Sequence, residues 1–178
     1  ADFNGTVIVE WLNVSAGFDN GADWGAAHTE MIRSGYAWVG VSAQKVGIDA
    51  LLDGSAGLLL GRTDTAERYA SLHHPGESFS YDIYSQVAQA IRQPGDVLPM
   101  NNLEVQRLIA IGQSQGAAYL MTYVNAIAPL HAIYDAYLVH SRYFGSSPLQ
   151  GAYLKPTVAT PPVVHVRDAL GTPVLMLQ

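Results

Sequence analysis

Gly112-Gln113-Ser114-Gln115-Gly116 sets a serine between two glycines, directly after the apolar run Arg107 to Ile111 (RLIAI) and directly before the run AAYLMTYVNAIA. A serine hydroxyl is a weak nucleophile until a base takes its proton, and it is useful only where the backbone presents it to a substrate. G-x-S-x-G at the junction of a strand and a helix does the presenting. The glycines leave room for a sharp turn that larger side chains would obstruct, and the helix start brings free N–H groups and a positive dipole end beside the serine. Ser114 is therefore the candidate catalytic nucleophile. The same five residues also fit a glycine-rich turn that packs a strand closely on a helix and does no chemistry.

Attack on an acyl carbon develops an oxyanion, which needs two N–H donors. One follows the nucleophile and belongs to Gln115; the other comes from the loop after an earlier strand. The run Thr6 to Leu12 (TVIVEWL) ends in such a loop, with Asn13 as the favoured donor and Leu12 as the alternative one residue away. Asn13 fits equally well as a strand-ending residue that bonds its own backbone. His140 and Arg142 close a later strand. His140 reads either as a pocket residue or as a histidine satisfied by a neighbour, and Arg142 as a carboxylate binder or a surface ion pair. The tandem His73-His74 shows no ligand spacing, so no metal is implied and a loop-shaping role is preferred. Gly54 to Gly61 (GSAGLLLG) lacks the Gly-Lys-Ser/Thr ending and the preceding strand of a phosphate loop.

These residues need elements to position them. After Thr6 to Leu12, a glycine- and serine-rich loop leads to a helix over Trp24 to Ser34, with Asp23 placed to cap it and Gly35 to stop it. Tyr36 to Ala43 is apolar nearly throughout, as a strand covered on both faces should be. Gln44 to Glu77 has no stable period and reads as an irregular excursion with a short helix. Ser80 to Arg92 carries Ile83, Val87 and Ile91 at helical spacing. The strand Arg107 to Ile111 and the helix Gln115 to Ala128 flank the serine, followed by a strand over Ala132 to His140 and another over Pro173 to Gln178. The segment 141–162, rich in glycine and proline, is a candidate lid or a plain connection. Its tyrosines, like Tyr69, Tyr81, Tyr84, Tyr134 and Tyr137, suit an aromatic pocket or an ordinary core. Apolar strands alternating with helices indicate one α/β domain over residues 1–178, with a mainly parallel sheet and helices on both faces. Reactive groups then gather at the carboxyl ends of the strands.

Composition agrees and narrows the function classes. The chain has 178 residues, 49% of them hydrophobic and 13% charged, enough for one real core. Nine Lys plus Arg against fifteen Asp plus Glu leave a net charge of −6 and no basic stripe, which argues against nucleic acid as a partner. No apolar run approaches the roughly 18 residues of a membrane span, and no basic amphipathic helix suggests a membrane surface. With no cysteine, thiolate chemistry and disulfides are excluded, while the compartment stays open. Asn4-Gly5-Thr6 and Asn13-Val14-Ser15 match glycosylation sequons, patterns too short to carry weight alone.

Taken together, the elbow, the run NGTVIVEWLNVS from Asn4, the run SLHHPGESFSYDIYSQV from Ser71, and Val139-His140-Ser141-Arg142 resemble the bacterial "alpha/beta hydrolase domain" proteins. The resemblance implies the α/β-hydrolase fold and a serine hydrolase that cleaves an ester or related acyl bond of a small-molecule substrate, without a cofactor. A ligand- or partner-binding protein with the same fold and no turnover is the alternative. In this fold the acid and then the histidine follow the nucleophile in the chain. The expected acid position lies in the turn after Pro173 to Gln178, so the acid and base are expected beyond Gln178. TVIVEWL resembles the third strand of the fold, so the domain is expected to be incomplete at both ends, completed by a further segment or a second chain. Within the chain the one ordered alternative is Ser114, Asp135, His165. It is disfavoured because Asp135 starts its strand and should lie at the amino edge. Asp168 fails likewise.

Overall fold

A computed structural model describes residues 2–59, 61–142, 145–152, 155–156, 160–167 and 169–178. In chain order the elements are β1 (Thr6–Trp11), α1 (Ala22–Arg33), β2 (Ala37–Val41), α2 (Lys45–Leu52), α3 (Ser55–Leu59), α4 (Thr65–Arg68), a 3-10 turn (Glu77–Phe79), α5 (Ser80–Arg92), β3 (Arg107–Gln113), α6 (Gln115–Thr122), β4 (Ala136–His140), the short pair β5 (Gly151–Ala152) and β6 (Lys155–Pro156), and β7 (Val174–Leu177). Five strands form a parallel sheet in the order β2-β1-β3-β4-β7. The expected α/β architecture with a parallel sheet is what the chain adopts. Register fixes the site: Gln113 pairs with His140, so the carboxyl ends of β3 and β4 finish side by side.

Strand alternation sorts the residues onto two faces. On one, Val7, Val9 and Trp11 join Leu108, Ala110, Tyr137 and Val139 and pack against Tyr81, Tyr84, Ala88, Tyr119, Leu120 and Tyr123 of the α5 and α6 layer. Trp11 is fully buried, stacked on Tyr119 with ring centroids 5.1 Å apart and set against Tyr84 at 4.7 Å. Such ring pairs are worth about 0.5–1.5 kcal/mol beyond the area they bury. Two of these tyrosine hydroxyls are satisfied by backbone and one by a side chain: Tyr84 Oη donates to Val9 O at 2.8 Å, Tyr134 Oη donates to Tyr84 O at 2.9 Å, and Tyr123 Oη pairs with Ser85 Oγ at 2.8 Å. These tyrosines are core residues. Burial without a partner charge pushes the phenols of Tyr84 and Tyr134 well above their ordinary value. The other face carries Thr6, Ile8 and Glu10 and receives α1.

Several boundaries differ from the sequence expectation, each for a physical reason. The first helix begins at Ala22 with Gly21 at its N-cap, so Asp23 lies inside the first turn and does not cap it. The cap comes from the strand beneath: Glu10 of β1 accepts the N–H groups of Asp23 at 2.9 Å and Trp24 at 3.1 Å. Gly35, at φ 78, ends the helix in a Schellman arrangement, with Tyr36 N–H on Met31 O at 2.9 Å and Gly35 N–H on Ile32 O at 3.1 Å. The strand after it, β2, lies at an edge with Ala37 to Gly40 only partly covered, contrary to the two-sided burial its apolar run suggested. The helix α5 keeps its predicted bounds but turns a different stripe inward: Tyr81, Tyr84, Ala88 and Ile91 are buried, while Ile83 and Val87 are half-buried. The expected helix to Ala128 widens its pattern after Thr122 and finishes as a π turn over Tyr123–Ile127, with Ala128 N–H on Tyr123 O. The strand expected from Ala132 starts at Ala136, because residues before it are drawn off by Arg92 Nε bonding Ile133 O at 2.7 Å. Three short helices, α2 to α4, fill the segment read as irregular.

Candidate active site

Ser114 sits between β3 and α6 with φ 54 and ψ −115. A non-glycine residue in that region carries strain of about 1–3 kcal/mol and persists only where its surroundings hold it. Two hydrogen bonds do so: Ser114 N–H donates to His140 O at 3.1 Å, and Ser114 O accepts from Ala118 N–H at 3.1 Å. The flanking glycines are required by contact. A Cβ on Gly112 would stand 2.9 Å from the Gly116 backbone, and a Cβ on Gly116 would stand 2.5 Å from Trp11 O. Gly116 thus lets the first turn of α6 press directly on the end of β1. Neither Gly116 nor the turn has slack, so Gly116→Ala will destabilise at or above the upper end of the roughly 1–3 kcal/mol of overpacking. Gly25→Ala, in exposed α1 with nothing near its Cβ, will stabilise by about 0.5–1 kcal/mol. Urea unfolding of the two variants reads the opposite signs, and a neutral Gly116→Ala would contradict the contact argument.

Ser114 is half-buried, and among the described residues no side chain hydrogen-bonds its hydroxyl. The Gln115 N–H opens α6 and has no partner within the helix, as expected for a first-turn donor. The loop from β1 lies alongside, but its backbone donors are engaged. Leu12 N–H bonds Val41 O at 3.3 Å and Asn13 N–H bonds Asn20 O at 3.0 Å. Val14 N–H bonds the side-chain Oε1 of Gln115 at 3.1 Å.

That last contact belongs to a buried amide pair that the sequence did not suggest. Gln115 Nε2 donates to Gln44 Oε1 at 2.6 Å, and Gln44 Nε2 reaches Gln115 Oε1 at 3.2 Å and Leu12 O at 3.3 Å. Gln44 is 2% exposed, so each of these polar atoms needs its partner. The pair ties the ends of β1 and β2 to the residue after Ser114. Asn13 is equally buried and sits beside the elbow. Its Oδ1 accepts from Ser15 N–H at 2.8 Å and Ser15 Oγ at 2.5 Å, which turns its Nδ2 toward Gln113, 3.3 Å from both the backbone O and the Oε1 of that residue.

His140, on the adjacent strand end, holds Asp23 rather than solvent: Nε2 lies 2.7 Å from Asp23 Oδ1, and Nδ1 lies 3.2 Å from Ser141 Oγ. The carboxylate accepts, so Nε2 carries the proton and Nδ1 faces Ser141. A second carboxylate lies behind this pair. Glu10 is 1% exposed, accepts Trp38 Nε1–H at 2.9 Å besides its two helix bonds, and burial raises its pKa above the ordinary value.

A profile of the family described as "Alpha/beta hydrolase domain" matches residues 1–178. The chain belongs to that family. No curated protein and no solved structure matches it. The alpha/beta hydrolase domain thus brings Ser114, Gln115, Asn13, Leu12 and His140 to one edge of the sheet, with Gln44, Asp23 and Glu10 as further members. Sequence spacing offered no signal for Gln44, while Asp23 was visible only as a presumed cap.

The remaining residues singled out earlier fall elsewhere in this alpha/beta hydrolase domain. Asp135 lies at the amino edge, as expected, ion-paired with Arg92 and accepting Leu108 N–H at 2.7 Å. Arg142 is buried, neither on the surface nor open to substrate, and its guanidinium staples Gly145 O and Val164 O at 3.0 Å each. His74 uses both ring nitrogens on backbone, with Gly76 N–H donating to Nδ1 and Nε2 on Ala43 O, each at 3.0 Å. It shapes its loop. Among the described residues no group of three or more His, Cys, Asp or Glu side chains is placed to hold a metal ion, and no helix is long and apolar enough to cross a membrane. Of the candidate lid, residues 145–150 lie on α5 and α6: Ser147 N–H bonds Ala118 O at 3.0 Å, and Tyr81 Oη bonds Pro148 O at 2.8 Å. Tyr143, Tyr153 and Asp168 lie outside the described residues.

Proposed function

We propose that this chain is a serine hydrolase of ester or related acyl bonds, with Ser114 as nucleophile. The backbone of Ser114 carries the reading: a strained, half-exposed serine walled by two glycines at a strand-to-helix turn. Strain of that kind collects where a side chain must be presented. In the reaction Ser114 Oγ bonds the acyl carbon as its proton passes to a base, and the carbonyl electrons move onto oxygen beside the Gln115 N–H. Collapse of the oxyanion expels the leaving group, which takes the proton. Water then repeats the sequence on the acyl-enzyme and frees the acid. Among the described residues no histidine meets the Ser114 hydroxyl, since His140 is held by Asp23 and Ser141. The reading therefore takes its base and acid from residues other than His140 and Asp23.

A fluorophosphonate probe applied to the full chain, with the adduct mapped by peptide mass spectrometry, tests the assignment. The expected result is stoichiometric labelling at Ser114. A folded protein that takes no label there is a ligand- or partner-binding member of the fold, and the catalytic reading ends.

A further inference from the structure

We propose that the second oxyanion donor is the side-chain amide of Asn13, and that no backbone N–H of the β1 loop serves. The inference rests on Ser114 being the nucleophile. Three observations lead to it. First, the backbone donors of Asn13 and Val14 are engaged by Asn20 O at 3.0 Å and Gln115 Oε1 at 3.1 Å, and Leu12 N–H, on a longer 3.3 Å bond to Val41 O, points toward β2, the side of β1 away from β3 and the elbow. Freeing one would leave a buried carbonyl or amide without its partner, which is unfavourable. Second, the Asn13 amide has a fixed orientation. An N–H and a hydroxyl from Ser15 converge on Oδ1, so that atom is the oxygen and the NH2 group faces the elbow. Third, the two bonds that Nδ2 makes are weak. Both are 3.3 Å, beyond the usual 2.7–3.2 Å range, and both go to Gln113, the residue before the nucleophile.

An NH2 group carries two hydrogens, so Asn13 can turn one toward a developing oxyanion while the other stays on Gln113. Burial strengthens that bond, because Asn13 is 5% exposed and little water competes for it. A side-chain amide held this way is preorganised: Ser15 sets its plane before substrate arrives. Gln115 N–H and Asn13 Nδ2 then approach the oxygen from the two sides of the elbow, the first from α6 and the second from β1.

The test compares Asn13→Asp and Asn13→Ala with the wild-type full chain, using hydrolysis of p-nitrophenyl acetate and fluorophosphonate labelling. Asp keeps the oxygen that Ser15 bonds and removes the donor, but sets a carboxylate oxygen against Gln113 O and Oε1; Ala removes oxygen and donor without adding charge. If the amide is the donor, both variants lose about 100- to 1000-fold in kcat while KM stays within about threefold. If Asn13 only ties the loop, the uncharged Ala variant either keeps its kcat or loses it together with a KM raised well beyond threefold, and the proposal is overturned. Equal kcat in all three proteins overturns it as well. A wild-type chain that neither labels at Ser114 nor turns over the ester removes the nucleophile assignment, and the donor assignment falls with it. Labelled, active wild type with unaffected variants removes the donor assignment alone.

Discussion

Ser114→Ala will bring ester turnover down to background, a loss on the order of a million-fold in kcat, while leaving stability within about 0.5 kcal/mol of wild type. The size follows from the role: without Oγ no acyl-enzyme forms, and the donors that remain have little covalent chemistry to assist. The small stability change follows from the surroundings. The residue is half-buried and its hydroxyl is unbonded among the described residues, so its removal orphans nothing. Ser114→Gly sharpens the test. It is equally inactive, but it relieves the strain of φ 54, about 1–3 kcal/mol, against roughly 0.5–1 kcal/mol of added unfolded-state entropy. Chemical denaturation should find this variant as stable as wild type or more so. Retained esterase activity in Ser114→Ala would end the nucleophile assignment, and a clear loss of stability in Ser114→Gly would show that the turn is not strained.

Glu10→Ala will destabilise the fold by about 3–5 kcal/mol, more than any surface change, because it strips acceptors from the Asp23 and Trp24 N–H groups and from Trp38 Nε1–H at once. Each buried donor left unpaired costs about 1–3 kcal/mol. The same residue gives stability a pH dependence with a definite sign. Burial, the main cause, and the nearby Asp23 carboxylate raise its pKa above the ordinary 4.5, against the bonds from Asp23, Trp38 and Trp24 that lower it. The native state then keeps the proton to higher pH than the unfolded chain does. Unfolding releases a proton across that interval, so this residue's contribution to stability falls as pH rises from 4.5 toward the raised value, then levels off. Glu10→Gln cannot titrate and removes this component. The stability difference between wild type and Glu10→Gln, measured by urea unfolding across this interval, should therefore shrink in wild type's disfavour as pH rises. A difference that is flat with pH would show that Glu10 keeps an ordinary pKa.

How much of this was legible in the sequence depends on how far apart the partners lie. The elbow was readable because strand, glycines, serine and helix are contiguous, and the structure keeps that order. The parallel sheet was readable from apolar runs separated by helices. The orientation of α5 was not, since Tyr81 and Tyr84 occupy the buried stripe as readily as isoleucine once their hydroxyls reach backbone carbonyls. Long-range polar partners were the main blind spot. Gln44 meets Gln115 across 71 positions and His140 meets Asp23 across 117, and neither residue type announces its partner locally. The same limit applies to the loop after β1: weighing Leu12 against Asn13 as a backbone donor could not anticipate that Val41 and Asn20, respectively, accept from them.

The three tryptophans of the chain divide between the two sides of the sheet. Trp11 lies in the tyrosine-lined layer under α5 and α6, while Trp24 and Trp38 pack together on the α1 side with ring centroids 4.9 Å apart. Each layer therefore carries its own optical reporter. Emission from Trp11, fed by energy transfer from the tyrosines around it, follows the core, and the coupled near-ultraviolet circular dichroism of Trp24 and Trp38 follows the docking of α1. Because Trp38 donates to Glu10, that second signal also records the charge on Glu10. Spectroscopy on the unmodified protein can thus separate detachment of α1 from collapse of the main core, with no label added.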